Sequence, residues 1–203
     1  MAIIAILAAL TLQVMGFAQK KAAKSRAEGE IKSLESACES YKSDNGIYPR
    51  DPTANIATDK LNARAMGDPA GADKTLYQTA SLVLYRALSG DHDANGKLEA
   101  NLDSVKDIDG NTISGATPGP APKVYYEFKP SMLNTTSSGG VISAVNYIID
   151  PLGNAYGYST AYQYDSSRGY NPTFDLWSTA GFTTAPTPST PATDVTLKWV
   201  KNW

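Results

Sequence analysis

No charged residue occurs between Met1 and Gln19, and the run AIIAILAALTLQVMGFA from Ala2 to Ala18 is interrupted only by Thr11, Gln13 and Gly16. A segment apolar on every side must be hidden in a core or in a bilayer. At about 1.5 Å per residue the run reaches roughly 26 Å, slightly under the roughly 30 Å of a hydrocarbon core. Three readings compete. A buried core helix fits poorly with a run this apolar at the extreme N-terminus. A cleaved secretory signal fits Gly16 and Ala18, small residues at the two positions a signal peptidase inspects, although no basic residue precedes the run. A membrane helix retained in the mature chain is the third, and the next segment favours it.

From Lys20 to Asp44 the chain reads KKAAKSRAEGEIKSLESACESYKSD, without proline and with only Gly29 as a weak point. Ala27, Ile31, Leu34, Cys38 and Tyr41 recur at spacings of three and four, which places one apolar stripe on a helix. Glu28 and Lys32 are spaced for an i,i+4 ion pair on the solvated side. Nothing near Lys20 breaks the helix, so residues 1–19 and 20–44 are expected to form one rod, apolar all round first and one-sided later. Asn45-Gly46 supplies the helix stop, Tyr48 can pack back on the stripe, and Pro49 fixes an extended exit.

A loop is expected up to Lys74. TLYQTASLVLYRALS, residues 75–89, predicts a second helix with Leu76, Ala80, Leu84 and Leu88 on one face and Gly90 at its end. Residues 91–122 read as a variable loop. The pattern then turns to β, with strands expected over 124–128, 141–149, 155–160 and 173–179 and an antiparallel sheet within 124–203. Asp150-Pro151 and Gly153-Asn154 form a turn that puts Tyr156 and Tyr158 on one face. The Pro/Thr segment 183–193 is a loop, and the chain closes on WVKNW ending at Trp203. Helix first and sheet afterwards is an α+β order: a membrane segment, 1–19, carrying one head domain, 20–203.

Composition narrows the chemistry. A net charge of −2 gives no basic excess for nucleic-acid phosphates. A lone Cys38 excludes an intrachain disulfide and a lone His92 removes most zinc sites and catalytic triads. The sequence holds no nucleophile elbow, P-loop or metalloprotease motif, so neither an enzyme nor a small-molecule substrate is expected. DHDANGKLE begins like an EF-hand loop, with Asp91, Asp93 and Asn95 at positions one, three and five, the Lys97 carbonyl at seven and Glu99 at nine. Position twelve is Leu102, with Asp103 following, so this candidate Ca²⁺ loop lacks its bidentate Glu.

Three motifs carry a family resemblance. YKSDNGIYP at 41–49, containing Asp44, Asn45, Gly46, Tyr48 and Pro49, resembles the Y-x-x-D-N-G-x-Y-P that ends the long helix of the major pseudopilin of bacterial type II secretion. IIDPLGNAYGY at 148–158, containing Asp150, Pro151, Gly153 and Asn154, is similar to that family's D-P-W-G-N-x-Y-x-Y hairpin. FDLWSTAG at 174–181, with the closing Asn202-Trp203, resembles its last strand and terminal N-W, and MAIIAILAAL resembles the interior of its membrane segment.

The resemblance implies a type IV pilin-like fold, in which a long N-terminal helix packs on a small antiparallel sheet. It implies a filament subunit anchored in the bacterial inner membrane, with its head in the periplasm or in an extracytoplasmic filament. The expected partners are further copies of itself, other pseudopilins and the inner-membrane assembly platform, with no nucleic acid. It also implies a basic leader, a Gly-Phe junction and a Glu encoded ahead of Met1. The family's calcium carboxylates after the last strand find only Asp194 between Leu176 and Trp203. The alternative from a different class is a secreted or periplasmic calcium-binding or adhesive domain with a cleaved signal peptide.

Overall fold

The computed structural model of the chain describes residues 2–50, 57–97, 122–184 and 195–203, with side chains described from Gly16 onward. A single helix α1 runs unbroken over Ala2–Asn45, 44 residues and therefore roughly 66 Å. The expected join between the apolar run and the amphipathic half is thus continuous helix. Gly46 ends it with φ of 78°, and the Gly46 N–H donates to the Lys42 carbonyl at 2.7 Å.

The stripe on α1 is real from residue 27 onward. Ala27, Leu34 and Cys38 have no exposure and Ile31 retains 2%, while Tyr41 is half-buried. Glu28 and Lys32 are exposed, and the ion pairs among the described residues do not include them, contrary to the spacing argument. Two solvated long side chains gain too little from pairing to offset the entropy of holding them together.

Short helix α2, Ala57–Lys60, interrupts the stretch expected to be loop up to Lys74, and α3 spans Lys74–Ser89. In α3 Ala80, Leu84 and Leu88 are buried as expected, Leu76 is half-buried, and Tyr77, Val83 and Tyr85 join the buried face. Gly90 caps the helix in the left-handed region. Ser81 in the middle of α3 is buried and exchanges two hydrogen bonds with Ile148, donating to its carbonyl at 3.1 Å and accepting its N–H at 2.9 Å. That pair stitches helix to sheet where no backbone ladder could.

The β half differs from the single four-stranded sheet expected. It forms two antiparallel sheets: β1 (Leu133–Ser138) with β2 (Val141–Ile148), and β3 (Gly157–Ser159), β4 (Asp175–Ser178) and β5 (Val200–Lys201) with β4 in the middle. Residues 124–128 are not a strand. Instead the N–H groups of Tyr125 and Tyr126 both donate to the Leu88 carbonyl, at 2.8 and 3.0 Å, satisfying the C-terminus of α3. Their aromatic side chains pack against the core, which gives a strand-like composition without a ladder.

Two strands escaped the sequence pattern. β1 reads LNTTSS, with its first three residues half-buried and its last three exposed, so it has no apolar alternation to find. It is joined to β2 by Gly139-Gly140 with φ of 60° and 80°, the doubly left-handed turn that matches strand twist in a two-residue hairpin. β5 is only two residues long and is held by β4.

Two packed clusters organise the head. One joins the α1 stripe to Leu84 and Leu88 of α3, Ile148 of β2, Tyr156, Tyr158 and Leu176. The other centres on Trp177, with Tyr77, Ala80, Leu61 and Trp199. Gly157 pairs with Trp177 across β3 and β4, and a Cβ there would lie 2.1 Å from the indole. Only glycine lets β3 approach so closely.

Candidate functional site

Three acidic side chains along α1 accept hydrogen bonds from three tyrosines of the head. Tyr156 Oη donates to Glu30 Oε2 at 2.6 Å, Tyr48 Oη to Glu39 Oε1 at 3.0 Å, and Tyr125 Oη to Asp44 Oδ2 at 3.1 Å. Glu30 and Glu39 each lie one residue from the buried stripe, next to Ile31 and Cys38, and can therefore reach past the helix edge to a head hydroxyl. Burial, reinforced by Glu30, pushes the Tyr156 phenol well up, so it remains a donor. Asp44 also pairs with Lys123, whose hydrogen bond is the main reason its carboxyl lies below the usual range. Asn45 Nδ2 donates to the same Tyr125 hydroxyl at 3.0 Å. These contacts fix both the rotation and the axial position of the rod on the head.

The motif at 44–49 is accordingly a junction. The Tyr48 ring is buried against Phe174, with centroids 4.9 Å apart, and the Lys42 ammonium lies 4.3 Å from its centroid. The Pro49 carbonyl accepts the buried Tyr158 hydroxyl at 2.7 Å, tying the chain's exit from the helix to β3. Arg50 extends the clamp through a 2.7 Å ion pair with Asp59, which also accepts the Thr160 hydroxyl. Glu30, Glu39, Lys123, Tyr125 and the Arg50–Asp59 pair were not singled out by the motif reading. The only sequence signal for the two glutamates is their place at the border of the apolar stripe.

The turn at 150–154 is built round Asp150, which is buried. Its Oδ1 accepts the N–H of Leu152 and of Asn154, both at 2.9 Å, and its Oδ2 accepts the Ser178 hydroxyl from β4. Burial raises the Asp150 pKa while these hydrogen bonds act against the rise. The Asp150 N–H donates to the Asn154 carbonyl at 2.8 Å, and Gly153 has φ of 87°. Pro151 occupies the next turn position. Tyr156 and Tyr158 are both fully buried in the cluster shared with α1, as the period-two argument requires. At the C-terminus Asn202 Oδ1 accepts the Leu176 N–H at 2.9 Å and its Nδ2 donates to the Phe174 carbonyl at 3.2 Å. Trp203 then stacks on Tyr170 at 4.7 Å with 5° between ring planes. The closing N-W fastens the chain end to β4.

Residues 91–97 gather Asp91, Asp93 and Asn95, positions one, three and five of the candidate Ca²⁺ loop. Asp91 is buried; its Oδ2 accepts the Tyr85 hydroxyl at 2.7 Å and the Gly96 N–H at 2.8 Å, and its Oδ1 accepts the Asn95 N–H at 3.1 Å. Burial raises its pKa, against the pull of the Tyr85 hydrogen bond. Asp93 accepts from the Asn95 side chain at 2.8 Å, and Asn95 Oδ1 accepts the Lys97 N–H. The Ala94 carbonyl accepts the Val145 N–H at 2.7 Å, which seats the loop on β2. Glu99 and Asp103 lie outside the described residues. Among the described residues no group of three or more His, Cys, Asp or Glu side chains is arranged to hold a metal.

Cys38 is fully buried, and burial raises its thiol well above its usual value, so it packs as a small hydrophobe. Among the described residues no helix is long and apolar enough to cross a membrane; the side chains of residues 2–15 lie outside them. Comparisons with protein-family models, curated proteins and solved structures find no match to this chain. What the described geometry offers is mechanical: a long rod locked in one register on a small head, with each turn that carries the lock tied down by a buried side chain.

Proposed function

We propose that the chain is a pilin-like filament subunit resembling the major pseudopilin of type II secretion. Its N-terminal run anchors it in the bacterial inner membrane, its head lies in the periplasm or in the filament, and subunits assemble through α1. One observation carries the reading: α1 is a continuous helix that packs one stripe on the head from Ala27 onward, while its N-terminal portion is a run without charge. A soluble domain gains nothing from extending its core helix by about five turns of apolar sequence. A subunit that must sit in a bilayer and then pack against its neighbours needs that extension. Ala5, Ala8, Ala9 and Gly16 supply the small residues that let apolar helices approach closely.

The partners in this reading are further copies of the chain, other pseudopilins and the membrane platform that assembles them. The test is the full chain against Ala8→Lys, expressed with the assembly machinery and followed by membrane flotation and by cross-linking of neighbouring subunits. A charge near the middle of an apolar helix costs roughly 2.5–3.5 kcal/mol on insertion, so the variant is expected to lose membrane retention, cross-linked ladders or both. Unchanged retention and ladders in the variant would contradict assembly through this helix.

A further inference from the structure

The end of the head nearest the N-terminal run has an apolar tip in a basic setting. Leu197 is 74% exposed, the highest value among the exposed large apolar side chains described, and Phe182 is 44% exposed. They belong to different segments but meet through Lys198, whose ammonium lies 5.1 Å from the Phe182 centroid. The Lys198 carbonyl accepts the Lys24 ammonium at 3.5 Å, so this tip sits beside α1 at residue 24.

The direction of the C-terminal segment shows which end of the head this is. Val200, Lys201, Asn202 and Trp203 line a groove with α1 residues Glu28 to Glu35. Going backward along the chain, Lys198 has reached Lys24, and exposed Leu197 lies beside it in the helical turn of residues 195–198. Lys24 lies six residues beyond Ala18, the last residue of the apolar run, which is roughly 9 Å along the axis. A headgroup layer is roughly 5–8 Å thick on each side of the hydrocarbon. Lysine side chains bridge the remaining distance with their heads in the polar layer.

Charge singles out the occupant. Lys20, Lys21 and Arg26 on α1 are exposed, as is Lys198. No Asp or Glu occurs before Glu28, and Asp194 is the only one after Asp175. Apolar side chains framed by lysines form the pattern of a surface that lies in a membrane interface and is drawn to anionic lipid.

Resting on the membrane-anchored reading above, we propose that the base of the head docks on the headgroup layer of an anionic bilayer. Phe182 and Leu197 dip into the interface and the lysines of α1 and Lys198 meet lipid phosphates. The head is then braced on the membrane by two contacts, its anchor and its base, instead of swinging on a single helix.

The test uses the full chain reconstituted into vesicles of phosphatidylcholine with and without phosphatidylglycerol. An environment-sensitive fluorophore is placed at Leu197→Cys or, as the control, at Ile47→Cys, which is exposed and roughly 30 Å further along the α1 axis. Cys38 is fully buried and stays unlabelled in the folded chain. The expected result is a blue-shifted emission at position 197 that is quenched by headgroup-level spin-labelled lipid, more strongly with phosphatidylglycerol. Position 47 should stay unquenched, and Lys24→Glu combined with Lys198→Glu should remove the quenching at 197. A chain that floats with the vesicles but shows no quenching at 197 overturns the docking and leaves the anchor intact. Equal quenching in neutral and anionic vesicles overturns the role given to the lysines. A blue shift without lipid quenching that fades on dilution with lipid shows that a second copy covers the tip, which also overturns it. Failure of the chain to float defeats the anchored reading and the docking together.

Discussion

Leu34 lies in the middle of the α1 stripe without exposure, packed in the cluster that also holds Tyr156 and Tyr158. Leu34→Ala is expected to destabilise the head by about 2–5 kcal/mol, measured by denaturant unfolding, because the packed neighbours cannot close the cavity. A variant that melts like the parent would mean that the stripe does not support the head. Asp175 offers a second residue-scale test. Burial raises its carboxyl from 3.8 to about 6, while the N–H groups of Asn171 and Tyr170, both at 2.8 Å, and the charge of Arg64 pull the other way. A carboxyl with a raised pKa holds its proton more tightly folded than unfolded. Its stabilisation is therefore complete below 3.8, lost as pH rises to about 6, and constant above that. The expected loss is on the order of 2–3 kcal/mol across that window, and Asp175→Asn should flatten it relative to the parent. The same slope in both proteins would contradict the assignment. Asp175 had no sequence signal, because its environment is made by backbone donors four and five residues earlier.

At the scale of elements, what was legible followed from local pattern, and what was not depended on partners distant in sequence. The rod, α3, and the turns at Asn45-Gly46 and Asp150–Asn154 carry periodicity or turn chemistry within a few residues, and each formed where expected. Segment 124–128 was misread because its aromatics are buried against α3 while its backbone serves as that helix's cap. β1 was missed because a polar strand has no alternation; the Gly139-Gly140 pair before the apolar run at 141 was its one available signal. The tyrosine–carboxylate links span as many as 126 residues, and nothing in a local window pairs Glu30 with Tyr156. The loop at 91–97 has its own test. Any calcium bound by the head is expected at residues 91–103, weakly, with a Kd of about 10⁻⁴–10⁻³ M, because Leu102 stands where a bidentate Glu belongs. Thermal melts in millimolar Ca²⁺ against chelator should show stabilisation that Asp91→Ala with Asp93→Ala removes. The double variant is to be compared with its own chelated melt, since Asp91 also holds the Tyr85 hydroxyl. Stabilisation surviving in the variant would place the cation elsewhere, and none in the parent would leave the loop purely structural.

The whole molecule reads as a head built to carry a rod. Its core is shared with the C-terminal half of α1, and the links through Glu30, Glu39 and Asp44 hold that half in register. From Gly16 to Ala22 every residue of α1 is exposed. On the proposed reading, such an arrangement would transmit axial position from the N-terminal run of α1 to the head, which a stacked filament requires and a free domain does not. The most direct test is the mass and N-terminal sequence of the mature chain recovered from the cell envelope after alkaline carbonate extraction. The membrane-anchored account predicts a chain that stays with the membrane pellet and retains the apolar run through Ala18. A soluble mature chain beginning at Gln19 would contradict it and assign that run to a signal peptide.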